Sequence, residues 1–266
     1  MAQVSCSMST SMRMRKFALF FCFAGTLFAG DPLPKFGFKD QLIAPVRIHL
    51  LKAKDEPNLT TTLSEKDIQR ILGKVNRIWA QAGVHFTPES IVHEAADNPD
   101  IYRQNRQSRQ LRWLLDLRPE KSRSKNCFHI YYVRQFGVNG VFIAPDGMFV
   151  KDTARLRPVK GGLDEPIPRV TAHELGHALS LRHRQHVTNL LASGTTGWTL
   201  NREEIKQARM TASKTKWIRP AGGVLKEADG LHQQGKKKEA AALYRRIAAI
   251  PLRCPETTHA RKRVER

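Results

Sequence analysis

The stretch TAHELGHALSLRH, residues 171–183, constrains the fold of this 266-residue chain more than any other segment. His173 and His177 are four residues apart, so on a helix their imidazoles lie on one face, one turn apart. Glu174 stands between them among small and apolar neighbours, where a buried carboxylate without a partner is costly. His183 lies ten residues after His173, too far along a straight helix to reach the same point. The helix must therefore end, and the chain must turn back.

This spacing predicts a metal site that is completed by a turn soon after Ala178. Imidazole nitrogens are good zinc ligands, and many catalytic zinc sites take three protein ligands. Glu174 follows the first ligand and can take the proton of a water that the metal activates, the mechanism associated with the motif H-E-x-x-H. We therefore predict that His173, His177 and His183 hold Zn²⁺, with Glu174 as the catalytic general base.

The longer pattern resembles that of the metzincin zinc metallopeptidases, H-E-x-x-H-x-x-G-x-x-H. Ser180 occupies the glycine position, so it must adopt a left-handed backbone at a cost of about 1 kcal/mol. Leu191 is the nearest analogue of the methionine beneath the metal, and leucine has a similar volume. The resemblance covers roughly residues 42–211. It implies an α+β fold of the zincin type, which is a mixed sheet with an active-site helix, and hydrolysis of peptide bonds.

Other residues offer a third metal ligand in place of His183. His186 is close in sequence, and Glu203 or Glu204 would correspond to the downstream glutamate of the other large H-E-x-x-H clan, although TLNREE is more typical of a helix cap. Asp146 precedes a glycine and is more typical of a turn than of a calcium ligand. Core or surface roles are expected for four further histidines: His49, His85, His93 and His129.

The pattern elsewhere predicts alternating strands and helices before the motif. APVRIHLLKA, VHFT and CFHIYYV are typical of strands, and the helix after the first strand begins with a cap at Ser64 and Asp67 and stops at Gly83. An Arg-rich helix is predicted over 100–117, and GVNGVFIAPDGMFVKD indicates a hairpin or edge strand. An extended peptide substrate is expected to bind along that edge, since peptides commonly add to exposed strands. Residues 187–198 would form the wall of the substrate cleft beyond His183.

The first 30 residues have the composition of a secretory signal peptide. Three basic residues precede the uncharged run FALFFCFAGTLFAG, and small residues at its end offer a cleavage point. An N-terminal anchor that stays uncut is the alternative, although the run is short for a membrane span. We expect a secreted protein, periplasmic or extracellular, with no membrane attachment after cleavage. Cys127 and Cys254 would then remain, either paired in an oxidising compartment or as two thiols.

The chain has a formal net charge of +21 at pH 7, which predicts attraction to polyanions such as acidic polymers or acidic substrates. Its basic runs, KSRSK and GKKKEA, lack interleaved aromatic residues, so no specific nucleic-acid site is predicted. The expected partner is a peptide or protein substrate. Two alternatives to a secreted zinc endopeptidase stay open: a non-catalytic zinc-containing protein that binds acidic partners, and a zinc hydrolase of non-peptide amides.

The metallopeptidase domain is predicted over 31–213, followed over 214–266 by a linker and a small helical tail. TASKTKWIRPAGG has the composition of a linker, and LKEADGLHQQGKKKEAAALYRRIAAIP carries two helical patterns joined near Gly235. With its small residues, Tyr244 and a closing Pro251, the tail resembles one tetratricopeptide-type helix pair; a plain helical hairpin is the alternative. Either must pack on the main domain or on a partner.

Overall fold

The computed structural model describes residues 38, 40–145 and 147–265. The predicted signal peptide and Asp146 lie outside these residues. Among the residues described, no helix has the length and apolar character needed to cross a membrane.

A twisted mixed sheet forms the centre of the fold. Its strands are β1 (Leu42–Lys52), β2 (Val84–Ala95), β3 (Phe128–Val133), β4 (Gly140–Ile143) and β5 (Gly147–Lys151). Their order is β2-β1-β3-β5-β4, with β4 antiparallel to β5 and the other neighbouring pairs parallel. The predicted hairpin therefore places β4 at one edge of the sheet.

Two helices, α1 (Glu65–Trp79) and α3 (Pro166–Ala178), pack on one face of the sheet. The predicted cap of α1 is present: the Ser64 hydroxyl accepts a hydrogen bond from the Asp67 backbone at 3.2 Å, and the Asp67 carboxylate accepts one from the Ser64 backbone at 3.0 Å. The indole of Trp79 donates to the Ala172 carbonyl at 3.2 Å, which ties α1 to α3. The predicted α+β class, a mixed sheet with the histidine-bearing helix on it, is confirmed.

The predicted helix over 100–117 is wrong as a single element. The structure has a short helix, α2 (Pro99–Asn105), an irregular connection and a 3₁₀ helix at Arg112–Leu117. Tyr102 and Trp113 both pack into the core of the other sheet face, with ring centroids 5.9 Å apart. One straight helix would separate residues eleven positions apart by about 16 Å along its axis, so the chain must fold back between them.

The segment predicted as a linker is built into the fold. Helix α4 (Arg202–Lys214) extends into it, β6 (Arg219–Pro220) pairs antiparallel with β1, and α5 (Ala221–Gln233) begins directly afterwards. Arg219 and Pro220 thus pair with Ile43 and Leu42 of the sheet, which composition does not reveal.

The tail contains three helices where the sequence predicts two. After α5, α6 (Lys237–Ala248) follows the expected turn at Gly235, whose φ is 78°, and α7 (Pro255–Val264) comes next. Alanines, Tyr244 and branched aliphatic side chains such as Ile247 form their common core, which also includes Ile43 of β1. The tetratricopeptide interpretation finds no support in this three-helix arrangement. Cys127 and Cys254 are both free thiols.

Candidate metal centre

The turn after α3 brings the third histidine back toward the helix. Ser180 has a φ of 66°, the left-handed conformation that its position requires. The Ser180 backbone N–H donates to the His177 carbonyl at 2.9 Å, and the Leu181 N–H donates to the Gly176 carbonyl at 2.9 Å. This pair of bonds is a Schellman motif, which satisfies the last carbonyls of the helix and reverses the chain.

The three predicted ligands meet at one point. The Nε2 atom of His177 lies 3.1 Å from Nε2 of His173 and 3.2 Å from Nε2 of His183. One nitrogen from each of the three imidazoles lies within 4.8 Å of the others, and within the described part of the chain no other group of three His, Cys, Asp or Glu residues meets this criterion. His173 is buried, His177 is half-buried and His183 is exposed, so the site opens to solvent on one side.

Backbone carbonyls fix the tautomers of the first two imidazoles. The Nδ1 of His173 lies 2.8 Å from the Leu190 carbonyl, and the Nδ1 of His177 lies 2.8 Å from the Leu181 carbonyl. Each Nδ1 must therefore carry the proton and donate it. The Nε2 atoms are then bare acceptors that face one another and have no hydrogen to share.

This donor set fits a zinc ion. Two lone pairs that face each other at 3.1 Å repel, and a cation between them removes the repulsion. Burial lowers the pKa of His173 to about 3 and also lowers that of His177, so both rings are in the neutral form that binds metal. The carbonyl partners on Nδ1 are the usual outer contacts of metal-binding histidines.

Glu174 lies beside the triad and is only 4% exposed. Burial raises the pKa of its carboxyl group to about 8, against the opposing effects of a hydrogen bond from the Phe142 backbone and of the Arg169 charge. The carboxylate packs closely against β4, since a Cβ added to Gly140 would lie 2.7 Å from Oε1 of Glu174. Only glycine allows the edge strand and the carboxylate to approach this closely.

The site opens into a cleft of about 710 Å³ between β4 and α3. The edge strand and the residues before it form one wall, and the lining also includes Leu156, Ser193 and Gly194. The 187–198 stretch, predicted as a wall, therefore contributes Ser193 and Gly194. Leu191, predicted to lie beneath the metal, is fully buried, and a Cβ added to Gly176 of the helix would lie 3.3 Å from its Cδ1.

Arg169 is a functional candidate that the sequence reasoning missed. It lies one turn before His173 on α3 and is 2% exposed, and its guanidinium donates to the carbonyls of Gly197 and Ala192. Its Nη1 also lies 3.2 Å from Nδ1 of His173, but that nitrogen donates its only proton to Leu190 and has no lone pair to accept another. Arg169 thus holds the loop that carries the Leu190 carbonyl.

The alternative third ligands are placed elsewhere. His186 is exposed and bonds the Thr188 hydroxyl at 2.9 Å, and Glu203 is exposed on α4. Glu204 is buried, where it accepts from Arg184 at 2.7 Å and caps α4. Buried positions on the sheet are found for His49, His85 and His129, while His93 is exposed.

No protein-family model matches the sequence, and no curated protein does. Among solved structures, mature mirolysin of Tannerella forsythia in complex with a cleaved peptide is similar over 58% of this chain and 68% of its own, at 15% identity and a TM-score of 0.37. Metalloproteinase-II of Bacteroides fragilis is similar over 63% of this chain and 53% of its own, at 13% identity and a TM-score of 0.35. Likenesses this distant carry no weight for what this chain does.

Proposed function

We propose that this chain is a zinc-dependent endopeptidase. The observation that carries the proposal is the triad itself: three imidazole nitrogens converge, the first two with their other nitrogen tied to a carbonyl, beside a buried carboxylate at the floor of an open cleft. His173, His177 and His183 would hold the ion. When bound, zinc polarises a substrate carbonyl and lowers the pKa of a water ligand.

Glu174 is the proposed general base. Its carboxylate accepts a proton from the attacking water and returns the proton to the leaving amine. Burial raises the pKa of this carboxyl group to about 8 in the metal-free chain, and the positive charge of a bound zinc ion would lower it, which favours the carboxylate form that accepts a proton. The Phe142 N–H and the contact with Gly140 hold the carboxylate toward the cleft.

Strand β4 is the proposed binding edge for an extended peptide. It ends the sheet, so the backbone groups on its outer side are unpaired with any strand of the sheet, and those other than the Phe142 N–H, which bonds Glu174, are available to a substrate. Its residues line the same cleft as the histidines, so a peptide backbone bound along it would lie next to Glu174. Ser193 and Gly194 would contact the substrate from the opposite wall.

Replacing Glu174 with glutamine tests the proposal most directly. The variant should keep one zinc per chain by elemental analysis and lose at least about a thousandfold in kcat/KM on a peptide library. A matched control is Glu203→Gln on the exposed start of α4, which should cleave like the wild type. Chelation should abolish cleavage and added zinc should restore it.

Two results would refute the proposal. A wild-type chain with stoichiometric zinc that cuts no peptide in the library would favour the binding-protein alternative. Cleavage confined to non-peptide amides, such as cell-wall material, would favour the other zinc hydrolase.

We also propose that the protein is exported and that residues 1–30 are removed. The composition of that segment supports this proposal. Sequencing the N-terminus of protein recovered outside the cytoplasm should find a start after Gly30, and a chain that retains Met1 in the membrane fraction would support the uncut anchor instead.

A further inference from the structure

A second depression, of about 530 Å³, lies near the catalytic cleft. We name it the basic pocket, after the three cationic side chains in its lining: Arg134, Lys151 and Arg155. The rest of the lining is polar and uncharged, from Asn58, Gln135 and Thr153. No carboxylate lines it.

Asn139 joins the basic pocket to the cleft. Its side chain lines the cleft, and the Asn139 amide donates to the Arg155 carbonyl at 2.7 Å and accepts from the Arg155 N–H at 3.2 Å. The Lys151 N–H, at the end of β5, donates to the Asn139 carbonyl at 2.9 Å. The basic pocket therefore adjoins the end of the cleft at which β4 begins.

The three cations have no acidic partner. None of them takes part in an ion pair within the part of the chain that the structure describes. The neighbouring Asp152 instead accepts from the Thr61 hydroxyl at 2.8 Å and the Thr62 N–H at 2.7 Å. Burial and then the Arg155 charge lower the pKa of Lys151, with no carboxylate opposing them.

The repulsion between Lys151 and Arg155 costs electrostatic energy that an anion would remove. Like charges held close together repel, and a bound anion replaces the repulsion with attraction. Guanidinium groups suit planar carboxylates and phosphates because they donate two parallel hydrogen bonds. The Thr153 hydroxyl donates its only hydrogen within the protein, to the Gln135 Oε1 at 2.6 Å, whereas the side-chain NH2 groups of Asn58 and Gln135 can supply further donors.

We infer that the basic pocket is a substrate subsite that takes an acidic side chain, carboxylate or phosphate, of the peptide bound along β4. The inference rests on the proposed peptidase function, because that function supplies the peptide. An extended chain advances about 3.3 Å per residue, so one position along the substrate should be selected rather than overall acidity.

The first test scans one glutamate, against glutamine, through each position of a cleaved peptide. The wild-type protein without residues 1–30 should show a higher kcat/KM for glutamate than for glutamine at one position, near one end of the bound peptide. Arg155→Glu should lower that glutamate-to-glutamine ratio of kcat/KM by roughly tenfold, mainly through KM. Lys206→Glu, the same charge change on the exposed surface of α4, should leave the ratio unchanged.

The dependence on salt concentration and a second variant test whether the glutamate preference arises from the basic pocket. The preference should shrink as ionic strength rises, because the pocket is open to solvent. Arg134→Gln should reduce the ratio in the same direction, and circular dichroism should show that each variant is folded. A uniform preference for acidic peptides that Lys206→Glu also weakens would show net-charge attraction and overturn the subsite.

Binding without turnover separates this inference from the proposed function. Fluorescence anisotropy with the Glu174→Gln variant compares the affinities of labelled peptides that carry glutamate, glutamine or phosphoserine at the selected position. If the wild type cleaves no peptide, the three residues are compared at each position in turn. Tighter binding of the anionic peptides, lost with Arg155→Glu added, supports the subsite even if the wild type cuts nothing. Tighter binding of phosphoserine than of glutamate identifies phosphate as the preferred group. Equal binding of all three peptides, with normal cleavage by the wild type, overturns the subsite and leaves the peptidase intact.

Discussion

Replacing Arg169 with methionine should destabilise both the fold and the metal centre. The guanidinium is 2% exposed, and its Nε donates to the Gly197 carbonyl at 2.9 Å. Its Nη2 donates to the Ala192 carbonyl and, at 3.4 Å, to that of Asn189. Methionine fills much of the same space but leaves the buried Gly197 and Ala192 carbonyls without their Arg169 donor, whereas the Asn189 carbonyl keeps the Ala192 N–H at 3.2 Å.

The magnitude follows from those bonds. A hydrogen bond from a charged donor contributes about 1.5–3 kcal/mol, and only the bonds to Gly197 and Ala192 count here, because the Asn189 contact is long at 3.4 Å and that carbonyl has a second donor. The variant also avoids the cost of burying a cation. That cost is visible in the pKa of Arg169, which burial lowers to about 10. We therefore expect the free energy of unfolding to fall by about 3 kcal/mol.

Urea unfolding of the metal-stripped protein measures this loss without a contribution from zinc. Competition with a chromophoric chelator should also show roughly 10–100-fold weaker zinc binding, since the loop that carries the Leu190 carbonyl is loosened. Arg202→Met, on the exposed first turn of α4, is the control and should stay within about 0.5 kcal/mol. A loss below about 1 kcal/mol for Arg169→Met would refute the reasoning.

Three further changes test local features of the fold. Gly140→Ala places a Cβ 2.5 Å from Val170 and 2.7 Å from Glu174, so we expect thermal unfolding to show a loss of about 1–3 kcal/mol, together with slower peptide cleavage. Ser180→Gly relieves the positive φ of 66° and should raise the free energy of unfolding by about 0.5–1 kcal/mol in urea, with no change in zinc content. Hydrogen bonds, chiefly from the cap serine, lower the pKa of Asp67 from 3.8 to about 2, so its contribution is complete above pH 4 and is lost as the pH falls toward 2. The stability difference between the wild type and Asp67→Asn should therefore shrink over that interval, and a difference independent of pH would contradict the assignment.

Features that depend on neighbours in sequence were predictable. The Ser64 cap, the stop at Gly83 and the start of α4 at Asn201 each depend on residues within one turn of a helix. The convergence of the histidines has the same origin. Four-residue spacing aligns His173 with His177, and the need to return His183 predicts the turn that the structure shows.

Features set by distant contacts were not predictable. Periodicity over 100–117 suggested one helix because it cannot reveal that Tyr102 and Trp113 share a core on the far sheet face. The linker composition of 211–223 likewise gives no sign that Arg219 pairs with Ile43, more than 170 residues earlier. In both places tertiary packing, rather than local preference, decides the conformation.

The metal centre likewise combines features set by neighbours in sequence with features set by distant contacts. The ligand positions can be read from spacing, but what orients them comes from elsewhere: Leu190 is seventeen residues after His173, and Gly140 is thirty-four residues before Glu174. In the sequence Gly140 resembles an ordinary turn glycine, yet the structure shows that it makes room for a carboxylate. A motif therefore specifies which atoms can bind zinc, whereas the distant loop and edge strand determine whether those atoms are held ready to act. Substitutions at Arg169 and Gly140, which lie outside the motif, should consequently impair the site even though every ligand is retained.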